Sequence, residues 1–150
     1  MLSGNLQAAR ERFDESLRVR ERLVKLTCES SEALSDWSVS LDNVGDVHRA
    51  LGELPAARER FDESLRVRER LVKLTGESPE ALRDWSVSLD KVGDVHLALG
   101  ELQAARERCE ESLRERERLV QLTGESPEAL RDWSVSLNKE IGRASGRERV

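Results

Sequence analysis

Histidine and cysteine, the side chains best suited to nucleophilic catalysis or metal binding, are few in this 150-residue chain, and their spacing assembles no catalytic or metal site. The two histidines, His48 and His96, have no cysteine or carboxylate at metal-ligand spacing around them. Cys28 and Cys109 lie far apart in the sequence, and neither is accompanied by a base that would activate a thiol. The sequence therefore predicts a protein that is not an enzyme and that uses no metal and no cofactor.

Three tryptophans, Trp37, Trp85 and Trp133, are the side chains best suited to stacking on a base or a sugar. Each belongs to a stripe of apolar residues, which favours a place in the core. The serines beside them, such as Ser86 and Ser88, are expected to be small residues at helix crossings, and the many Glu and Arg side chains of the intervening segments are expected to face solvent.

Composition excludes several classes of partner. The formal net charge of −5 and the pI near 5.3 argue against nucleic acid, which usually requires a basic surface. No apolar run approaches the roughly 18 residues that cross a membrane, and the first residues lack the order of a signal peptide. Two distant cysteines do not make a disulfide framework, so we expect a reducing, cytoplasmic location.

The chain repeats itself every 48 residues. Two complete units span 28–75 and 76–123 and differ at ten positions, one of which is the pair Ser35 and Arg83. Partial units span 4–27 and 124–139, so the predicted array occupies residues 1–139.

Within a unit the apolar residues follow a helical period. Leu82, Trp85, Leu89 and Val92 advance by three or four residues, which places them on one face of an α-helix. Ser78 and Gly100 are suited to capping the two ends of that helix. A second helix completes each unit, and one such hairpin cannot bury both of its apolar faces alone. The predicted fold is all-α: an α-solenoid of stacked antiparallel hairpins with about six helices.

The helix pair of each unit resembles the tetratricopeptide repeat (TPR). Leu89-x2-Val92-Gly93-x2-His96 followed by Ala105-x3-Cys109 is similar to the family pattern W-x2-L-G-x2-Y followed by A-x3-F. The same positions hold Leu41, Val44, Gly45, His48, Ala57 and Phe61 in the preceding unit, and Ala9 and Phe13 in the first. The period of 48 rather than 34 resembles the long-period arrays of multidomain bacterial proteins. The predicted structural core comprises Trp37, Trp85, Trp133, Gly45, Gly93, His48, His96, Ala57, Ala105, Phe13 and Phe61.

The resemblance also implies a binding face, because family ligands lie along the concave surface formed by the first helix of each unit. The matching positions here are Asp42, Asp46, Arg49, Asp90, Asp94 and Leu97, with Asn138 in the last unit. This acidic face with apolar neighbours favours a protein or peptide partner with a cationic or amphipathic segment. The predicted function is therefore that of a non-catalytic interaction scaffold. The alternative interpretation of these aspartates is that they only keep the protein soluble.

The two ends of the array suggest an alternative function. The first unit has no first helix before it, and the last has no second helix after it. The apolar faces left at the two ends are complementary in kind, so copies could stack head to tail into dimers or superhelical filaments.

The repeat pattern fails after Lys139. Glu140 stands where Val92 stood, and Ile141 stands where Gly93 stood. Residues 140–150 resemble the translation of a common sequencing adapter, and we predict that they are a tail foreign to the array.

Overall fold

The protein is described by a computed structural model, which covers the backbone of residues 2–148 and the side chains of residues 4–138. It is built from six helices, and no strand occurs within 2–148. The helices are α1 (Leu2–Leu26), α2 (Ser31–Ala50), α3 (Leu54–Leu74), α4 (Pro79–Ala98), α5 (Leu102–Thr123) and α6 (Pro127–Glu148). The predicted all-α fold with six helices is confirmed.

Local sequence sets the helix ends. The hydroxyl of Ser78 accepts a hydrogen bond from the backbone N–H of Ala81 at 3.2 Å, as expected of an N-cap residue. Ser30 and Ser126 do the same for α2 and α6. Gly100 follows the end of α4 with φ of +79°, a conformation that costs glycine little.

Each helix packs against the helices that precede and follow it in the chain, and no other helix pair within residues 2–148 comes into close backbone contact. Short connections reverse the chain each time, so the second helices α3 and α5 lie between successive first helices. Buried leucine and valine side chains form a core at each of these junctions, for example Leu41 with Val67 and Leu89 with Leu65. The result is the stack of hairpins that the repeat predicted.

Helix α6 extends beyond the last residue that matches the repeat. The side chains of residues 140–150 lie outside the described residues, so the proposal of a foreign tail stays a prediction, as does the boundary at residue 139. Among the helices described, none is both long and apolar enough to cross a membrane.

The first helices α2 and α4 each have a glycine that lies close to a side chain of the following second helix. A Cβ placed on Gly45 would lie 2.5 Å from Cε1 of Phe61, a ring that is fully buried. At the equivalent Gly93 the nearest atom is Sγ of Cys109, at 3.0 Å. The ring therefore requires glycine more strictly than the thiol does.

This difference predicts unequal effects of the same substitution in two units. Gly45→Ala should lower the free energy of unfolding by about 1–3 kcal/mol, because the buried ring has no room to move. Gly93→Ala should be close to neutral, because the helix-propensity gain of about 1 kcal/mol offsets a milder clash. Urea denaturation measures both, and Gly45→Ala should cost less in a Phe61→Cys background than in the unaltered chain. Equal costs at the two glycines would contradict this account of the packing.

Candidate partner-binding surface

One of the aspartates predicted to meet a partner is buried. Asp42 has 6% of its surface exposed, and its Oδ2 lies 2.8 Å from Nη1 of Arg68 on α3. Its position on the first helix turns it toward the second helix of its own unit rather than toward the binding face. The Asp42 carboxylate is therefore engaged inside the protein with Arg68.

Arg68 is the centre of a buried polar network that joins three helices. Its Nε donates to the Ser38 hydroxyl on α2 at 3.2 Å. Its Nη1 donates to the Ser88 hydroxyl at 2.8 Å and to the Asp84 carbonyl at 3.2 Å, both on α4. A single guanidinium therefore fixes α3 to the first helices on both sides.

The same network recurs one unit later. Arg116 on α5 contacts Oδ2 of Asp90 at 2.8 Å and donates to the hydroxyls of Ser86 and Ser136. Only 13% of the Asp90 side chain is exposed, so this predicted binding residue is also engaged inside the protein. The expectation that the arginines of the second helices face solvent is wrong for Arg68 and Arg116.

The other predicted binding residues lie nearer the surface. Asp46 is half-exposed and is held by Nζ of Lys91 at 3.0 Å and by Nη2 of Arg49 at 3.5 Å. Both cations also lie over the Phe61 ring, at 5.4 Å for Lys91 and 5.9 Å for Arg49. Asp94 is half-buried, and Leu97 is exposed. Asp46 is thus partly neutralised by its own chain.

The histidines lie in contact with carboxylates that the sequence did not associate with them. Nδ1 of His48 is 3.1 Å from Glu53, and Nδ1 of His96 is 3.2 Å from Glu101. Each pair spans the turn between a first and a second helix, and Arg10 also contacts Glu53 from the preceding helix. The carboxylate therefore joins a histidine to a neighbouring unit.

The predicted core residues differ in burial. Ala57, Ala105, Phe61 and His48 are buried, whereas Phe13, His96 and the three tryptophans are half-buried and lie at the edges of the core. Trp37, Trp85 and Trp133 each pack against buried aliphatic side chains. No group of three His, Cys, Asp or Glu among the described residues could hold a metal ion.

An acidic groove separates the first halves of α2 and α4. It has a volume of about 260 Å³, and its floor includes Leu71 of α3. Four carboxylates line its walls, two from each first helix: Glu32, Asp36, Glu80 and Asp84. We call this feature the α2–α4 groove. None of these four was among the aspartates predicted from the family pattern.

Burial raises the pKa of Asp84 above its ordinary value, and Arg68 opposes this effect only in part. Desolvation disfavours the charged form of a carboxyl group. A cation placed in the α2–α4 groove would therefore stabilise the ionised form of Asp84.

At the corresponding position between α4 and α6, the chain itself supplies a cation, Arg83. There Nη1 of Arg83 lies 3.4 Å from Glu128, and its Nε lies 3.6 Å from Asp132. Glu128 and Asp132 are the repeat equivalents of Glu80 and Asp84. The equivalent of Arg83 in the α2–α4 groove is Ser35, which carries no charge. This difference between the units was visible in the sequence, but its consequence required the packing of the helices.

The helices define an all-α helical-repeat solenoid with a charged face formed by its first helices. The family model for the tetratricopeptide repeat matches residues 37–80 and 85–131, beginning at equivalent tryptophans. The chain belongs to the tetratricopeptide repeat family. Members of this family generally act as non-catalytic protein–protein interaction scaffolds.

Comparison with solved structures includes one described as the crystal structure of MamA. It is 18% identical, with 89% of this chain and 91% of that chain covered, and a TM-score of 0.21. No curated protein matches the chain in sequence.

The buried network predicts a large effect at Arg68. Arg68→Ala should lower the free energy of unfolding by about 3–5 kcal/mol, because it leaves the Asp42 carboxylate buried without its cation. Arg66→Ala, at an exposed position two residues away, should change stability by less than about 0.5 kcal/mol. Replacing both charged partners, as in Arg68→Met with Asp42→Leu, should recover most of the loss. Equal effects of Arg68→Ala and Arg66→Ala in urea denaturation would contradict the structural role.

Proposed function

We propose that the protein is an interaction scaffold whose first helices bind a cationic, amphipathic segment of a partner protein. The principal contact is the α2–α4 groove, with Asp46, Arg49, Asp94 and Leu97 continuing the same face. Asp42 and Asp90 are not part of the proposed site, because their carboxylates are paired with Arg68 and Arg116.

The observation that carries this proposal is the difference between the α2–α4 groove and the corresponding position between α4 and α6. Between α4 and α6, Arg83 places a guanidinium beside Glu128 and Asp132. In the α2–α4 groove, Ser35 leaves Glu80 and Asp84 without that guanidinium. A lysine or arginine of a partner would supply the cation that Arg83 supplies in the next unit.

The apolar lining of the α2–α4 groove is the reason for proposing a partner segment that is amphipathic as well as cationic. The aliphatic carbons of Leu71 and Ala81 line the groove together with the four carboxylates. A helical segment with basic and apolar residues three or four positions apart would satisfy both kinds of lining at once. Charge complementarity would chiefly set the association rate and the choice of partner.

Placing an arginine of the chain itself in the α2–α4 groove tests this proposal. Ser35→Arg should reproduce the ion pairs of Arg83 and compete with the partner for Glu80 and Asp84. We expect it to weaken binding of a fluorescent Lys/Leu amphipathic helical peptide by at least about tenfold, a change of about 1.4 kcal/mol. Glu32→Gln with Glu80→Gln should weaken the same peptide by removing charge. Fluorescence anisotropy measures both effects.

Matched controls separate the groove from general electrostatics. Gln121→Arg adds an arginine to the exposed surface of α5, and Glu69→Gln with Glu117→Gln removes two repeat-equivalent carboxylates from exposed positions of the second helices. These controls should bind the peptide as the unaltered protein does. Equal loss in the control and groove variants would refute the groove as the site, and so would tight binding of a Glu/Leu peptide.

A second candidate function is self-assembly of the array through its ends. The observation that favours it is the exposure of apolar residues at the ends whose equivalents inside the array are buried. Leu130 is 38% exposed, whereas its equivalent Leu82 is fully buried. A solution mass that rises above 17.0 kDa between micromolar and millimolar concentration supports this candidate, and a constant mass rejects it.

A further inference from the structure

We infer that α1 of one copy docks on α6 of another in the register that α3 adopts on α2 inside the chain. This inference rests on the second candidate function and specifies its surface, its partner and its residues. The partner is a second copy of this chain.

The proposed docking faces on α1 and α6 carry the same residues as the interface between the two helices of a unit, which the chain forms at α2–α3 and at α4–α5. Residues 4–27, which include most of α1, match 52–75 at all but two positions, and 124–139 match 76–91 at all but one. Inside the chain the α2–α3 and α4–α5 junctions repeat the same bonds. Ser64 donates to the Ser38 carbonyl, and Ser112 donates to the Ser86 carbonyl, both at 3.1 Å.

Burial identifies the same faces. Val19 and Leu23 on α1 are 62% and 42% exposed, whereas their equivalents on α3, Val67 and Leu71, are buried against α2. On α6, Leu130 and Leu137 are exposed, whereas Leu34 and Leu41, their equivalents on α2, are buried. In a pair of copies, the α1 side chains of one copy would pack against the α6 side chains of the other. The packing would be that of Val67 and Leu71 against Leu34 and Leu41 within one chain.

Arg20 on α1 is the repeat equivalent of Arg68. Among the described residues it contacts only one first helix, α2, whereas Arg68 contacts two. It donates to the Asp36 carbonyl of α2 at 3.1 Å, as Arg68 donates to Asp84. Arg68 also contacts the preceding first helix through Ser38 and Asp42, whereas 37% of the Arg20 side chain is exposed. In the proposed register, Ser134 and Asn138 of the other copy take the places of Ser38 and Asp42.

Charge is complementary across the same junction. Arg131 on α6 is the repeat equivalent of Arg83 and is exposed. Arg83 pairs with Glu128 and Asp132 of the next first helix, α6. In a docked pair, the next first helix after α6 is α2 of the other copy, where the equivalent residues are Glu32 and Asp36. Docking would therefore add ion pairs as well as apolar burial.

Two sequence differences limit the strength of this contact. Asn138 replaces the aspartate that pairs with the buried arginine in the other units. Ile141 occupies the position of Gly45, where a Cβ has no room beside the phenylalanine ring. The contact is accordingly confined to residues 127–138 of α6, and we expect it to be weak.

The experiment uses the full chain in analytical ultracentrifugation. Leu23→Glu and Leu137→Glu each place a charge on one docking face and should each give a monomer at concentrations where the unaltered chain associates. Leu26→Glu and Val135→Glu are the matched controls, because their equivalents Leu74 and Val39 are exposed inside the array as well. The controls should associate normally, and circular dichroism should show all four variants folded.

Mixing the two monomeric variants tests the head-to-tail arrangement. Leu23→Glu retains an intact α6 face and Leu137→Glu an intact α1 face, so an equimolar mixture should form dimers of about 34 kDa, twice 17.0 kDa, and nothing larger. Asn138→Asp should tighten association of the otherwise unaltered chain by about tenfold, since it completes the ion pair with Arg20.

The outcomes separate this register from self-assembly in general. If the unaltered chain associates but Leu23→Glu and Leu137→Glu behave like their controls, copies assemble through another surface and the proposed register is wrong. If the mixture of the two variants stays monomeric, the head-to-tail arrangement is wrong. If the unaltered chain is monomeric at millimolar concentration, both the register and self-assembly are rejected, and binding of a partner segment is unaffected.

Discussion

The stack of helices depends on one buried arginine in α3 and one in α5, Arg68 and Arg116. A guanidinium has five N–H donors and cannot lose its charge, so burying it requires acceptors on every side. Arg68 finds them on α2 and on α4, and Arg116 finds them on α4 and on α6. Apolar side chains alone would allow neighbouring hairpins to slide, because hydrophobic contact has no direction. The arginine fixes which turn of one first helix lies opposite which turn of the next.

This constraint accounts for what sequence reasoning predicted and what it missed. The 3.6-residue period predicts which face of each helix is apolar, and the repeat predicts that hairpins stack; both follow from local pattern. The period cannot tell whether Arg68 turns outward or reaches between two helices, because a long side chain at the edge of an apolar face can do either. Ser38 and Ser88 were the available signal, since small hydroxyl residues on an otherwise apolar stripe need a polar partner when buried. For the same reason, the sequence did not show that Asp42 and Asp90 pair with Arg68 and Arg116.

Near-identity of the units makes their differences informative. Arg68 and Arg116 are the same residue at equivalent positions, and both serve the fold. Ser35 and Arg83 stand at equivalent positions, so Glu128 and Asp132 face a guanidinium from the preceding first helix, whereas Glu80 and Asp84 do not. Phe61 and Cys109 differ in the same way, and the tolerance of the facing glycine changes with them. A single sequence lists these differences, but only the packing of helices shows that the first pair borders a groove and the second a core.

The α2–α4 groove and the proposed junction between copies both involve Glu32 and Asp36, and the repeat relates the two through one arginine position. In a stacked pair, Arg131 of one copy would lie beside Glu32 and Asp36 of the next, as Arg83 lies beside Glu128 and Asp132. Ser35 stands at the only one of these three positions that lacks the guanidinium. Assembly would thus leave one groove per chain in which Glu80 and Asp84 lack this guanidinium, repeated at intervals of three units along the stack. A partner with several basic segments at that spacing would then bind a stack more tightly than a single copy, because each further segment binds at a raised effective concentration.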